Sequence, residues 1–370
     1  SIILINIPLF SGGKMGRSSS KRITIAAIAA QAGVSAPTVS RVLKGRPDVA
    51  PATRVLIEQL LEENGYMAGR ASKASRKSGG VIDLVVFDLD NPAVVEIARG
   101  VEAALDRTEF SLALSVTHDD LREEKQCLDK MRSRGTLGVV FARPRERSAI
   151  FQELQQSGIP FAICNHFSEL GQGIPSVGAT NWAGGRTAIE YLLSLGHKRI
   201  GMIGGPLSLQ CSRDRIAGYR SALENAGIPI DPELIRPGDF RLQSGYTQTF
   251  ALLDLPHPPT AIFASNDLEA MGVYKALYLR NIRIPEQMSV IGFDNIPFAG
   301  VVSPGLTTIH QPLFDMGRMA TTMLVHLIAG EPLASSPMEL ATALITRESC
   351  APPAEQPSRT EKGGCQSSRE

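Results

Sequence analysis

Residues 34–43 read VSAPTVSRVL and follow the segment ITIAAIAAQAG. Wound into a helix, this stretch brings Ala36, Pro37, Ser40 and Arg41 onto one face, because they are about one turn apart. An arginine on such a face can donate two hydrogen bonds to guanine O6 and N7 in a major groove, with about 1–3 kcal/mol of discrimination. Arg41 is therefore the first candidate for base reading. Ala36 and Pro37 offer only apolar surface, of the kind a thymine methyl accepts. Thr24 and Ser35 stand where helix N-caps belong, so their hydroxyls can cap, face phosphates, or do both. Arg41 and Lys44 can also be read as plain solvated charge.

A second set of polar residues sits at the ends of apolar runs. Asn165 follows PFAIC, Asn266 follows TAIFAS and Asp294 follows SVIGF. Ligands of open parallel sheets bind beyond the carboxyl ends of strands, which makes these three candidates for a binding cleft. An arginine such as Arg215, a carboxylate and amides can together bracket neighbouring hydroxyls, which suits a sugar. Other readings stay open: Asn266 and Asp294 as turn or capping residues, Arg215 as a surface ion pair, Phe240 and Trp182 as core. Asp88, Asp90, Asn91, His166 and Trp182 are further candidates for the same cleft. Catalysis finds little support. The sequence has no G-x-S-x-G elbow, P-loop or HExxH, IGMIGGP reads as a tight turn, and His197 reads as structural.

Charge separates these two sets. From Lys14 to Lys77 there are 12 Lys and Arg against 4 acids, a balance of +8; the remainder has 26 against 33, a balance of −7. The whole-chain value of +1 hides a basic head on an acidic body, and only the head suits a polyanion such as nucleic acid. Cys127, Cys164, Cys211, Cys350 and Cys365 are odd in number and lack any CxxC pair. No disulfide framework, metal site or cofactor is implied; reduced thiols in the cytoplasm are expected. The apolar start, residues 1–10, is too short to span a bilayer and is wrongly flanked for export, so no membrane partner is expected.

Positioning the two sets takes 370 residues, more than one core usually serves. Residues 23–66 predict three short helices: one from Thr24 to Ala30, a Gly33 turn, one from Ser35 to Leu43, and one opened by Pro51 with Val55, Leu56, Leu60 and Leu61 as its apolar stripe. Residues 67–80, MAGRASKASRKSGG, have the composition of a basic linker. From Val81 the pattern alternates. VIDLVVFD, FSLALSV, TLGVVFA, PFAIC, RIGMIGG, TAIFAS and SVIGFD read as buried strands, separated by helical stretches. Such alternation predicts parallel, doubly wound α/β sheets. Residues 81–350 are too many for one sheet, so two lobes with a cleft between them are expected. Residues 351–370 are expected to be a disordered tail, and residues 1–22 an extension that is disordered or, before Met15, non-native.

The head closely resembles the helix-turn-helix of the lac-repressor family of bacterial transcription regulators. DLDNP, VGATNWAGG, LGHKRIGMIGG, SRDRIAGYRSAL, PTAIFASNDLEAMG and SVIGFDNIPFAGVVSPGLTTIHQP extend the resemblance, in order and spacing, to that family's sensor domain. The resemblance implies a small all-α DNA-binding domain followed by a two-lobed, periplasmic-binding-protein-like sensor. It implies a homodimeric repressor on a pseudo-palindromic operator, released by a small-molecule effector such as a sugar. Thr24, Ser35, Thr38, Ser40, Lys44 and Thr53 resemble the family's DNA-backbone contacts, and Arg215 and Phe240 its effector-binding arginine and stacking aromatic. Asn165 stands where the family often has aspartate. The hinge departs further: Tyr66 matches, but Ser75 replaces the leucine that wedges the minor groove, leaving Arg70, Lys73, Arg76 and Lys77 for phosphates. Rival readings are a binding protein without DNA, a sugar-metabolism enzyme with a fused head, and a regulator that senses a nucleobase or sugar phosphate.

Overall fold

The computed structural model describes residues 25–43, 49–63, 79–118, 120–142, 149–164, 174–333 and 337–354. The expectations placed on residues 1–22, on the linker through residue 78, on Thr24, Lys44, Tyr66, Arg70, Asn165 and His166, and on the tail beyond residue 354 lie outside these residues. The chain divides into two compact units, 1–74 and 75–370.

In the first unit, α1 (Ile25–Gln31), α2 (Ala36–Leu43) and α3 (Pro51–Glu63) follow the expected pattern. The Ser35 hydroxyl caps α2 by accepting from Thr38 N at 3.4 Å, and Pro37 and Pro51 fall in first turns, where a missing N–H is harmless. Ile28, Ala29, Val39, Val42, Ile57 and Leu61 build the core. The expected stripe of α3 holds in its second half and is rotated in its first: Leu61 is buried and Leu60 packs on the core, but Val55 and Leu56 are 62% and 45% exposed and Ile57 turns inward in their place.

The second unit has two sheets. Its N-terminal lobe comprises β1 (Val81–Val86), α4 (Pro92–Leu105), β2 (Ser111–Val116), α5 (Leu121–Arg134), β3 (Thr136–Ala142), α6 (Ala149–Ser157), β4 (Phe161–Cys164) and β5 (Ser176–Ala179). The C-terminal lobe comprises α7 (Asn181–Ser194), β6 (Ile200–Ile203), α8 (Gln210–Asn225), β7 (Ile235–Arg236), α9 (Leu242–Leu253), β8 (Ala261–Ala264), α10 (Asp267–Leu279), β9 (Ser289–Asp294) and β10 (Thr307–His310). The chain then returns to the first lobe with α11 (Leu313–Ala329) and β11 (Met338–Leu340), and ends in the second with β12 (Ala343–Ile345). Strand orders are β11-β5-β4-β3-β1-β2 and β12-β10-β9-β8-β6-β7, all parallel except for the β10–β12 pair. Helices cover both faces of each sheet, as near-continuous apolar strands require.

Neither α11 nor the short strands β5, β7, β10, β11 and β12 was among the expected elements. Leu313, Met316, Ala320, Met323 and Leu324 give α11 one apolar face, which joins the N-terminal core and so makes the chain cross between lobes three times. Gly100 and Gly317 let α4 and α11 approach closely: a Cβ at either would lie about 2 Å from the facing backbone. Ala351, expected to open a disordered tail, is instead anchored to the second lobe. Ala351 N donates to Ser289 Oγ at 3.0 Å, and Ala351 O accepts from His197 Nε2 at 2.9 Å. His197 is buried and its pKa is lowered by that burial, so it serves as a structural clip. Among the described residues no helix is long and apolar enough to cross a membrane, and no cluster of His, Cys, Asp or Glu could hold a metal ion.

Candidate functional site

The first unit presents α2 as a two-sided helix. Val39 and Val42 are buried, Pro37 and Arg41 are exposed, and Thr38 and Ser40 are half-buried; Ala36, also half-buried, packs against the core, so of the residues expected to read bases Pro37 and Arg41 are the outward pair. Ser35 and Thr38 join their hydroxyls at 2.9 Å, which makes capping part of what Ser35 does. Thr53 is half-buried on α3.

In the second unit the segments that follow β6 and β7 and the carboxyl end of β9 bring Arg215, Phe240 and Asp294 to one cavity between the lobes. Arg215 projects from α8 and is buried. It donates through Nε to Asn181 Oδ1 at 2.9 Å, through Nη1 to Ser265 O at 2.5 Å and through Nη2 to Gln311 Oε1 at 2.8 Å. Its Nη2 stands 3.7 Å from Asp294 Oδ1, and its guanidinium carbon lies 3.6 Å above the Phe293 ring. A guanidinium has five N–H donors, and these three contacts fix its position. Asn181, Gln311 and Phe293 went unnoticed in the sequence, because their role exists only once strands and helices distant in sequence meet. Opposite them, the N-terminal lobe supplies Phe87, Asn91 and Leu313. This inner cavity measures about 30 Å³, room for about one water. Phe87, Asn91 and Phe240 also wall an outer cavity of about 310 Å³, with Asp88, Asp90 and Arg241 at its sides.

Phe240 is buried at φ +65°, in the left-handed region that side chains rarely adopt. Its ring is 5.7 Å from the Arg215 guanidinium carbon and fits because residue 205 is glycine, where a Cβ would come within 2.3 Å of it. Asn266 does not offer its amide to the cavity. Its Oδ1 caps α10 by accepting from Glu269 N at 2.9 Å, and its Nδ2 donates to Phe240 O at 3.0 Å, so the capping reading holds for this residue. Two buried acids on α10 were also missed. Asp267 accepts from Thr308 Oγ1 at 2.6 Å and from Ile296 N at 2.8 Å; burial, with the nearby Asp294 carboxylate, raises its pKa well above the carboxylate range. Burial pushes Glu269 up to about 8. Trp182 is 42% exposed under the Arg186 guanidinium and lies away from both cavities.

A helix-turn-helix unit and a two-lobed α/β unit, with Arg215 and Asp294 meeting a largely apolar cavity between its lobes, have the architecture of a DNA-binding regulator with a separate sensor unit. Comparison with known proteins agrees. Residues 24–68 match the model of bacterial regulatory proteins of the lacI family, and residues 189–350 match a periplasmic binding protein-like domain. The chain is 34% identical to the HTH-type transcriptional repressor CytR of Escherichia coli (strain K12) over 330 residues, covering 88% of this chain and 96% of that one. Among solved structures, a transcriptional regulator CelR–cellobiose complex is similar at a TM-score of 0.69 and 30% identity, covering 89% of this chain and 100% of that one. The lac repressor dimer bound to operator and the anti-inducer ONPF is similar at 0.67 and 27%, covering 90% and 100%. The chain belongs to the lacI family of bacterial regulatory proteins and is a DNA-binding transcriptional regulator.

Proposed function

We propose that the chain is a cytoplasmic, homodimeric repressor of sugar-utilisation genes, released from a pseudo-palindromic operator by a small hydroxyl-bearing effector. In this reading Arg41, Ala36 and Pro37 read bases, while Thr24, Ser35, Thr38, Ser40, Lys44, Thr53 and Arg70 hold the DNA backbone. Arg215 and Asp294 bracket effector hydroxyls, Phe240 packs on the effector's apolar face, Asn266 acts by holding Phe240, and Asn165 is a further candidate contact. The observation that carries the effector assignment is the convergence of Arg215, Asp294 and Phe240 on one cavity walled by both lobes. Because the inner cavity is far smaller than a ligand pocket of roughly 300 Å³ or more, an effector must change the lobe separation to enter it. That is the coupling a repressor needs: an inducer that favours a different lobe arrangement from DNA weakens DNA binding, and DNA weakens the inducer equally.

One observation favours a second effector class. Phe87 from one lobe and Phe240 from the other wall both cavities, so a flat base attached to a sugar would find an aromatic face there. The sugar and nucleoside readings share the hydroxyl-binding pair and differ only in that ring. A thermal-shift panel of ribose, glucose, cellobiose, cytidine and ribose 5-phosphate separates them, since a ligand at 100 times its Kd adds about 2.7 kcal/mol of stability. The active compound is then expected to release labelled operator DNA and to be recovered chemically unchanged, which distinguishes a sensor from an enzyme. If no genomic fragment bound better than random DNA, with or without any compound, the repressor reading would fail.

A further inference from the structure

We propose that Glu269 is a positioning residue of the effector site, acting through Phe240: it fixes the loop at residues 238–244 so that the Phe240 ring closes the cavity over Arg215. The proposal rests on the effector reading above and adds a residue that does not itself line the cavity.

Three observations carry it. The first is the hydrogen bonding of the loop. Glu269 Oε1 accepts from Phe240 N at 2.9 Å and from Ser244 Oγ at 3.0 Å, so one oxygen ties the loop at two points four residues apart. With the Asn266 amide on Phe240 O at 3.0 Å, both backbone polar groups of Phe240 are held by side chains from the start of α10. The second is conformational. Phe240 holds φ +65°, and a non-glycine residue stays in that region only where its surroundings enforce it. The two α10 side chains are that enforcement. The third is burial. Glu269 is fully buried and its Oε2 accepts no hydrogen bond among the described residues. Burying a carboxyl group with one oxygen unpartnered is unfavourable for the fold alone. Gly238 lets the loop close against it, since a Cβ there would come within 2.3 Å of Oε1. The whole arrangement is directed at one outcome, the placement of the aromatic ring beside Arg215.

Amide hydrogen exchange of the full chain, read by mass spectrometry over residues 238–244, tests the proposal without any ligand. Glu269→Gln keeps the accepting oxygen and is expected to keep the segment protected. Glu269→Leu removes it and is expected to raise exchange there about tenfold or more, with little change in the strands β6 and β8. A leucine variant as protected as the wild type would overturn the proposal; if that variant failed to fold, Glu269→Ala would be read the same way. The second arm titrates ribose and cytidine. For whichever binds, Glu269→Leu and Phe240→Ala are each expected to weaken affinity about tenfold, and the double variant to be no weaker than Phe240→Ala alone. Losses that multiply would overturn it, because Glu269 would then act by another route. If neither probe binds the wild type, ribose and cytidine are excluded as effectors, and the exchange arm alone decides whether Glu269 positions the loop.

Discussion

The Nη2 of Arg215 stands 3.7 Å from Oδ1 of Asp294, an ion pair just longer than a hydrogen bond, with both side chains buried. A hydroxyl entering between them could accept from the cation and donate to the carboxylate, which no surface pair would offer as strongly. Asp294→Asn keeps the shape and removes the charge. It is expected to weaken effector binding about 10- to 100-fold, as loss of a charged hydrogen bond does, while operator affinity without effector stays within about twofold. Titration calorimetry for the effector and fluorescence anisotropy for DNA would check this. Equal loss of both affinities would point to a folding defect instead.

Glu269 makes stability depend on pH in a direction opposite to that of a salt-bridged acid. Its pKa is about 8 when folded, because of burial and then the neighbouring Asp239 carboxylate, against 4.5 for the free group. The folded state therefore holds the proton more tightly than the unfolded state. The favourable contribution is complete below about 4.5 and is lost as pH rises through about 8. At about 1.4 kcal/mol per pH unit, the loss is on the order of a few kcal/mol. Thermal melts of the wild type are expected to fall in Tm from pH 5 to pH 9, and Glu269→Gln to show a flatter profile. Parallel profiles would mean that Glu269 does not titrate in this range.

Much of this architecture was legible because its strands announce themselves. VIDLVV, TLGVVFA and SVIGFD are apolar without alternation, which only a sheet covered on both faces permits. What escaped is what local pattern cannot carry. The two-residue strand Ile235–Arg236 has no pattern of its own and exists only because β6 is beside it. The α11 stripe was readable at Leu313, Met316, Ala320 and Leu324, but the lobe that it joins was not. In the site, Asp294 was found from a strand end and Arg215 from its resemblance to the family's effector-binding arginine. Gln311 and Asn181 were not, since they meet Arg215 from 96 and 34 residues away. Asn266 shows the limit of residue type as a guide: an asparagine at a strand end suits a ligand contact and a helix cap equally, and here the amide is spent on the cap and on Phe240.

The N-terminal lobe depends on a buried acid. Asp83 on β1 is fully buried, and its carboxylate is met by the Arg134 guanidinium, by Thr136 Oγ1 at 2.7 Å and by Ser115 Oγ at 2.9 Å. Arg134→Met removes the cation and leaves the charge in place. It is expected to cost about 3–5 kcal/mol in urea unfolding, and replacing Asp83 by leucine in the same chain to recover part of that. A cost below about 1 kcal/mol would show that the two hydroxyls satisfy Asp83 unaided.

On the DNA side, Arg41 and Lys44 are expected to fail differently. Arg41→Ala should remove about 1–3 kcal/mol of preference at a single base pair and leave binding to random DNA nearly intact. Lys44→Ala should weaken operator and random DNA alike and lower the salt dependence by about one counterion. Anisotropy titrations at several salt concentrations separate the two. If the arginine variant kept its operator preference, base reading would have to come from elsewhere on α2.

Across the cleft mouth, Arg241 Nη2 reaches Asp88 Oδ2 at 3.2 Å and joins the two lobes beside Phe240. Asp88 is held ready by its own turn, with Oδ1 accepting from Asp90 N at 3.2 Å and Asn91 N at 3.3 Å, while the Arg241 side chain is 59% exposed. An exposed partner limits the pair to about 1 kcal/mol or less and leaves it open to screening. Parting the lobes would break this bridge, so Arg241→Ala is expected to shift their balance toward the open side by no more than that. Because an effector must part the lobes to enter, its affinity should rise by up to about fivefold at low ionic strength and approach the wild-type value at about 1 M salt, where the Debye length is roughly 3 Å. A gain that persisted unchanged at high salt would assign the effect to packing of the arginine's apolar stem against the cleft wall, and the charge would then have no part in closing it.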